Sequence, residues 1–96
     1  MATHDQLGRY AENEGLYGVT FDKQKRRWRV QAHVRGKELR LGRYKDRDFA
    51  RAVADWVAIL VKHRGAKRNF PVEKPSCWNR AEAEARWKLK QRGLLS

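Results

Sequence analysis

Between Arg27 and Val34 the chain alternates residue by residue: Trp28, Val30, Ala32 and Val34 share one parity, and Arg29, Gln31 and His33 share the other. A period of two over this length predicts a strand with one buried and one open face. Upstream, Tyr17, Val19, Thr20 and Phe21 predict a first strand over about 17–22, followed by a polar turn from Asp22 to Lys25. Arg35-Gly36-Lys37 is a short hairpin link, with a glycine free to take positive φ. Residues 38–44 resume the alternation, Leu39 and Leu41 on one side and Glu38 and Arg40 on the other, and Gly42 is expected to end the regular pairing.

After Tyr44 the period changes. Phe49, Val53, Trp56 and Leu60 recur at helical spacing, widened by Ala50, Val57 and Val61 into a broad apolar stripe. Asp46 is the expected N-cap and Asp48 suits the positive end of the helix dipole, so a helix is predicted at about 46–63, closing before Gly65. Arg47, Arg51, Asp55 and Lys62 are assigned to its wet face, while Trp28 and Trp56 are assigned to the core. Asn69-Phe70-Pro71 forms a return whose Phe70 closes one edge of the core. Past Pro75-Ser76, Asn79 and Glu82 have the spacing of a capping box, and a second helix is predicted at about 78–92, ended by Gly93. Its apolar stripe is thin: Ala81, Ala85 and Leu89, flanked by Trp78, Ala83 and Trp87. Such a helix is not stable alone and must dock; a protein partner is one surface it could dock on. The first sixteen residues are polar, with Leu7 and Tyr10 spaced as one face of a short turn before Asn13-Glu14-Gly15 breaks the pattern. The expected fold class is α+β, a three-stranded antiparallel sheet packed on one amphipathic helix with an extra C-terminal helix. Residues 1–15 are an N-terminal extension, 16–71 the sheet-plus-helix domain and 72–96 a C-terminal helical extension.

Charge adds the functional clue. The 96 residues carry 23 Lys+Arg against 11 Asp+Glu, a formal net charge of +12. Residues 17–71 hold 16 of those basic and 5 of the acidic side chains, so the excess is concentrated in the predicted sheet and its helix. A polyanionic partner is implied, with nucleic acid ahead of an anionic membrane or an acidic protein. The longest apolar run, Trp56–Val61, is far too short to span a bilayer, and no membrane association is expected. The opening Met1-Ala-Thr-His-Asp-Gln lacks the layout of a secretory signal, and one cysteine, Cys77, excludes an internal disulfide framework. An intracellular location is expected, the nucleus for a eukaryotic regulator, or else an organelle.

Once the helix covers the apolar face, the other face of the sheet displays Arg29, Gln31, His33, Glu38 and Arg40, with the Lys23–Arg27 loop at its edge. A two- or three-stranded ribbon fits the major groove of B-form DNA, where Arg reads guanine and Gln reads adenine, while Lys in loops holds phosphates. Base contacts are therefore assigned to Arg29, Gln31, His33 and Arg40. Phosphate contacts are assigned to Lys23, Lys25, Arg26, Arg27, Arg35, Lys37 and Arg43. The competing assignment pairs Arg29 with Glu38 across the strands as a structural contact. His4, His33, His63 and Cys77 have no metal-ligand spacing, and no Gly-rich phosphate loop, carboxylate pair or nucleophile–base set is present. Neither a metal, a cofactor nor an enzymatic activity is expected.

Leu16-Tyr-Gly-Val-Thr-Phe, Arg27-Trp-Arg-Val-Gln-Ala, Leu41-Gly-Arg-Tyr, the Ala-rich helix with Asp55, and Asn69-Phe-Pro form an ordered set of five landmarks over residues 16–71. In this order they resemble the Apetala-type/ethylene-responsive-factor DNA-binding domain. The resemblance implies three strands and one packed helix, with the sheet in the major groove and contacts from its exposed face. Carried over, that face comprises Thr20, Asp22, Arg29, Gln31, His33, Glu38 and Arg40, which adds Thr20 to the base contacts. Tyr17 stands where an Arg commonly precedes the Gly-Val pair, Thr20 and Asp22 replace further arginines, and Arg40 replaces a frequent Trp, so the family's target sequence does not transfer. Sequence-selective binding of double-stranded DNA, as a regulator or a targeting module, is the favoured expectation. The alternative is an RNA-binding structural subunit of a ribonucleoprotein such as a ribosome, resting on phosphates because the A-form major groove is too narrow for the sheet.

Overall fold

Gly18 has φ +77°, a conformation that L side chains rarely adopt, and a Cβ there would lie 3.3 Å from that of Ala54. It therefore turns the chain into the first strand and lets that strand lie close on the helix behind it. In the computed structural model, residues 17–34, 36–62 and 68–95 are described. They form strands β1 (Val19–Asp22), β2 (Arg27–Val34) and β3 (Lys37–Tyr44), then helices α1 (Arg47–Leu60) and α2 (Trp78–Gln91). The strands make one antiparallel sheet in the order β1-β2-β3, so β2 is central. This is the expected α+β arrangement. The expectations for residues 1–16, for Arg35 and for His63–Lys67 lie outside the described residues.

Parity along β2 holds as the alternation requires. Val30 is completely buried, paired with Val19 of β1, while Trp28 pairs with Phe21 and stacks on it at 4.7 Å between ring centroids. Trp28 is half-buried, so it borders the core and does not sit inside it. β1 begins two residues later than the apolar pattern suggested, because Tyr17 and Gly18 are a turn. Gly42 does not end the pairing of β3. The register slips at Val30/Gln31, so that Gln31 faces Arg40, Val30 faces Gly42 and Leu41 is the extra residue of a β-bulge. Leu41 is nonetheless buried, and a Cβ on Gly42 would meet the Tyr44 ring and hydroxyl at 2.8–3.3 Å. The glycine makes room for an aromatic folded back over it, and pairing continues to Tyr44, opposite Trp28.

α1 starts where its cap predicts: the Asp46 carboxylate accepts from the Asp48 and Phe49 amides. It ends at Leu60, earlier than expected, with Lys62 in the left-handed region at φ 59°. The helix contacts all three strands on one side and α2 on another. Ala50, Ala52, Val53, Ala54 and Val57 are buried in one cluster with Val19, Val30 and Leu41 from the sheet and Ala81, Ala85 and Leu89 from α2. The thin stripe on α2 therefore finds its cover on α1 within the same chain. Trp56, half-buried, stacks on Trp78 at 4.9 Å, and its indole N–H donates to the Trp78 carbonyl.

Two sequence assignments are corrected. Asp55 is not on a wet face; it is 1% exposed. Its carboxylate accepts from the Asn69 amide (2.7 Å), the Asn69 side chain (2.9 Å) and the Phe70 amide (2.8 Å), which compensates its burial. Asn69 in turn exchanges hydrogen bonds with the Tyr17 backbone, so one carboxylate ties α1, the return loop and the entry to β1 together. Asn79 is not an N-cap. The cap position is Cys77, which makes no side-chain capping bond, while Glu82 is engaged by Arg86. The Trp78 amide bonds to the Pro75 carbonyl and its ring is fixed on Trp56, which starts the helix one residue before Asn79.

Candidate nucleic-acid interface

The face of the sheet turned away from α1 is built in rows by the antiparallel register. One row runs Thr20–Arg29–Arg43, the next Gln31–Arg40, and the last His33–Glu38 at the hairpin end; Asp22 and Arg27 pair at the other. The bulge at Leu41 is what makes the middle of this face. By uninterrupted alternation Arg43 shares the parity of Leu39 and Leu41, which points inward. One extra residue returns Arg43 to the outer side, directly opposite Arg29.

Two carboxylates share the face, and each is engaged. Asp22 accepts from the Gln24 and Lys25 amides, forming the turn, and from Arg43 Nε at 3.2 Å. The Lys25 amide above all, helped by Arg43 and the Gln24 amide, holds its carboxyl below the ordinary value. Glu38 lies 3.8 Å from Arg40 Nε and 4.0 Å from His33 Nε2. The cross-strand pairing of Arg29 with Glu38 is not what forms. Arg29 faces a second arginine and a threonine, and its buried Nε makes no hydrogen bond among the described residues. Like charges directly opposite on a sheet are destabilising, and in this row the ion pair to Asp22 offsets Arg43 but not Arg29.

Of the residues assigned to base contacts, Thr20, Arg29, Gln31, His33 and Arg40 all lie on this outer face. Those assigned to phosphates divide. Lys23, Lys25 and Arg26 are exposed in the β1–β2 turn, with Arg26 at φ 52°. Arg27 bends back to donate to the Lys25 and Arg26 carbonyls, bracing that turn. Arg43 joins the central row and not a loop, while Lys37 pairs with Val34 and so stands on the helix side at the hairpin tip. Arg35 lies outside the described residues.

The sequence reading missed a second element at this face. A cavity of about 260 Å³ is lined by Arg29, Arg40 and Arg43 from the sheet, by the Leu41–Gly42 bulge, and by Lys88 and Arg92 from the end of α2. The signal was present as a four-residue spacing of cations on α2, but only the docking direction of that helix gives it meaning. No family model, no curated protein and no solved structure matches the chain. No helix among the described residues is long and apolar enough to cross a membrane.

Proposed function

We propose that the protein binds double-stranded DNA with the outer face of its sheet in the major groove, β2 deepest. The observation that carries this reading is the Thr20–Arg29–Arg43 row, where two arginines face each other and Arg29 Nε is buried without a hydrogen-bond partner among the described residues. Asp22 offsets the charge of Arg43, and an anionic or hydrogen-bond-accepting ligand relieves Arg29. Size agrees, since two interstrand spacings measure about 10 Å and the groove is about 12 Å wide. Arg29 and Gln31 project from the central strand, where long side chains reach base edges, and Lys23, Lys25 and Arg26 ride in the turn at the height of the phosphate ridges. The resemblance to the Apetala-type/ethylene-responsive-factor domain supports the same use of the sheet. The protein then acts as a regulator or as the targeting part of a larger machine, without catalysis of its own.

The second reading, a structural RNA-binding subunit, draws on the same charges without base readout. Selecting bound duplexes from a random pool, beside a pulldown from total RNA, separates the two. A recovered consensus in duplex supports the proposal; enrichment of RNA with no duplex consensus overturns it.

A further inference from the structure

Glu84, Lys88 and Arg92 recur at intervals of four on and just beyond α2, and so form one row along the helix. From Glu84 to Arg92 the row advances about 12 Å, and the β3 stretch from Tyr44 back to Arg40 covers about 13 Å. The row lies along that stretch. At one end the Tyr44 hydroxyl donates to Glu84 Oε2 at 2.6 Å; at the other Arg92 Nη2 donates to the Arg40 carbonyl at 2.7 Å. β3 is an edge strand of the sheet, and these two bonds tie α2 to it.

Glu84 is occupied by Tyr44, which leaves Lys88 and Arg92 as the row's contribution to the cavity beside the bulge. Five cationic side chains from two strands and one helix line that cavity, and no carboxylate does. Arg43 and Arg40 have Asp22 and Glu38 outside it, Lys88 Nζ rests 5.2 Å from the Trp87 ring, and Arg92 donates to the backbone carbonyls of Lys88 and Arg40. Arg29 Nε, buried, has no hydrogen-bond partner among the described residues. A concave surface of one sign concentrates counter-ions, and guanidinium forks match tetrahedral oxyanions with paired N–H donors.

We propose that this cavity is a phosphate pocket that takes one backbone phosphodiester of the bound nucleic acid, which makes α2 a second arm of the interface. The inference rests on the sheet being the nucleic-acid face and adds a site to it. The phosphate at the β3 margin is clamped between Lys88 and Arg92 on one side and Arg40 and Arg43 on the other. Bases are left to Arg29 and Gln31.

The test uses the full chain and a duplex from the selection above, titrated over a range of salt. Lys88→Gln keeps the carbonyl that holds Arg92, and Arg92→Lys keeps the charge while removing the fork. The Lys88→Gln/Arg92→Gln double variant is expected to lower the salt slope by about 0.9, the loss of one neutralised phosphate. A scan replacing single phosphates by uncharged methylphosphonates should find one position that weakens the wild type by about tenfold and weakens the Lys88→Gln/Arg92→Gln double variant much less. Thermal melts of the single variants should stay near wild type. If the wild type binds duplex but slope and scan are unchanged in the double variant, the pocket is wrong and the sheet reading stands. If the wild type binds no duplex, both fall. If inorganic phosphate saturates the pocket on the free protein and no duplex phosphate couples to Lys88, the site belongs to a free anion and the phosphodiester assignment is overturned.

Discussion

The two faces of the one sheet are built on opposite terms. On the inner face the two central rows are apolar or aromatic, Val19–Val30–Gly42 and Phe21–Trp28–Tyr44, and their members have cover from α1 or from their neighbours. On the outer face Arg29 is set against Arg43, and the two carboxylates found there among the described residues are engaged with Arg43, Arg40 and His33. The same strands thus carry one surface covered by the fold and one on which Arg29 has no carboxylate partner among the described residues. The Asp55 network is the contrast within the core: its buried carboxylate is fully partnered, whereas Arg29 Nε and Arg51 Nε are buried with no hydrogen-bond partner among the described residues.

That contrast can be broken from the inside first. Asp55→Ala strands two backbone amides and the Asn69 side chain at once, and should cost about 3 kcal/mol or more. Chemical denaturation measures it, and a loss under about 1 kcal/mol would show that water replaces the carboxylate. Trp28→Ala removes a half-buried aromatic and its stacking on Phe21, so about 2–3 kcal/mol is expected, less than for a fully enclosed Trp. The lost stability should be the same with and without DNA contacts on the other face.

The outer face is sharpened by smaller effects. Lys25→Ala and Arg26→Ala, in the exposed turn, should each lower the salt slope of duplex binding by about 0.9 and weaken all sequences alike. Unchanged slopes in both would reduce the cluster to a solvated turn. Asp22 has its carboxyl held below the ordinary value of 3.8 in the fold. Its contribution to stability is therefore present above that value and is lost as pH falls through the lowered one. Acid titration of the melting temperature should show wild type losing stability below about pH 4 more steeply than Asp22→Asn. The same variant releases Arg43, so its affinity for random duplex at low salt should rise. A fall would mean that Asp22 positions Arg43 for binding and does not restrain it.

Much of the fold was legible because its signals are local. The alternation from Trp28 to Val34, the Asp46 cap and the Ala81–Ala85–Leu89 stripe each depend on neighbours within a turn or a pleat. What was not legible depends on distant partners. Asp55 reads as a surface charge until Asn69 and Phe70 are brought to it, and Asn79 reads as a cap until Trp78 is fixed on Trp56. The outer face was half legible. Arg29, Gln31, His33 and Arg40 follow from parity, but Arg43 reaches the central row only through a bulge that a leucine and a glycine do not announce. Lys88 and Arg92 enter only through the line α2 takes along β3.

The central claim is that the outer row exists for nucleic acid and not for the sheet. Arg29→Leu tests it most directly, with the thermal melt and the affinities for selected and random duplex measured on the same preparation. The account predicts an unchanged or higher melting temperature, because the Arg29–Arg43 opposition is removed, together with a loss of about tenfold or more against the selected duplex and little change against random duplex. A melting temperature that falls while the selected-duplex affinity holds would contradict it.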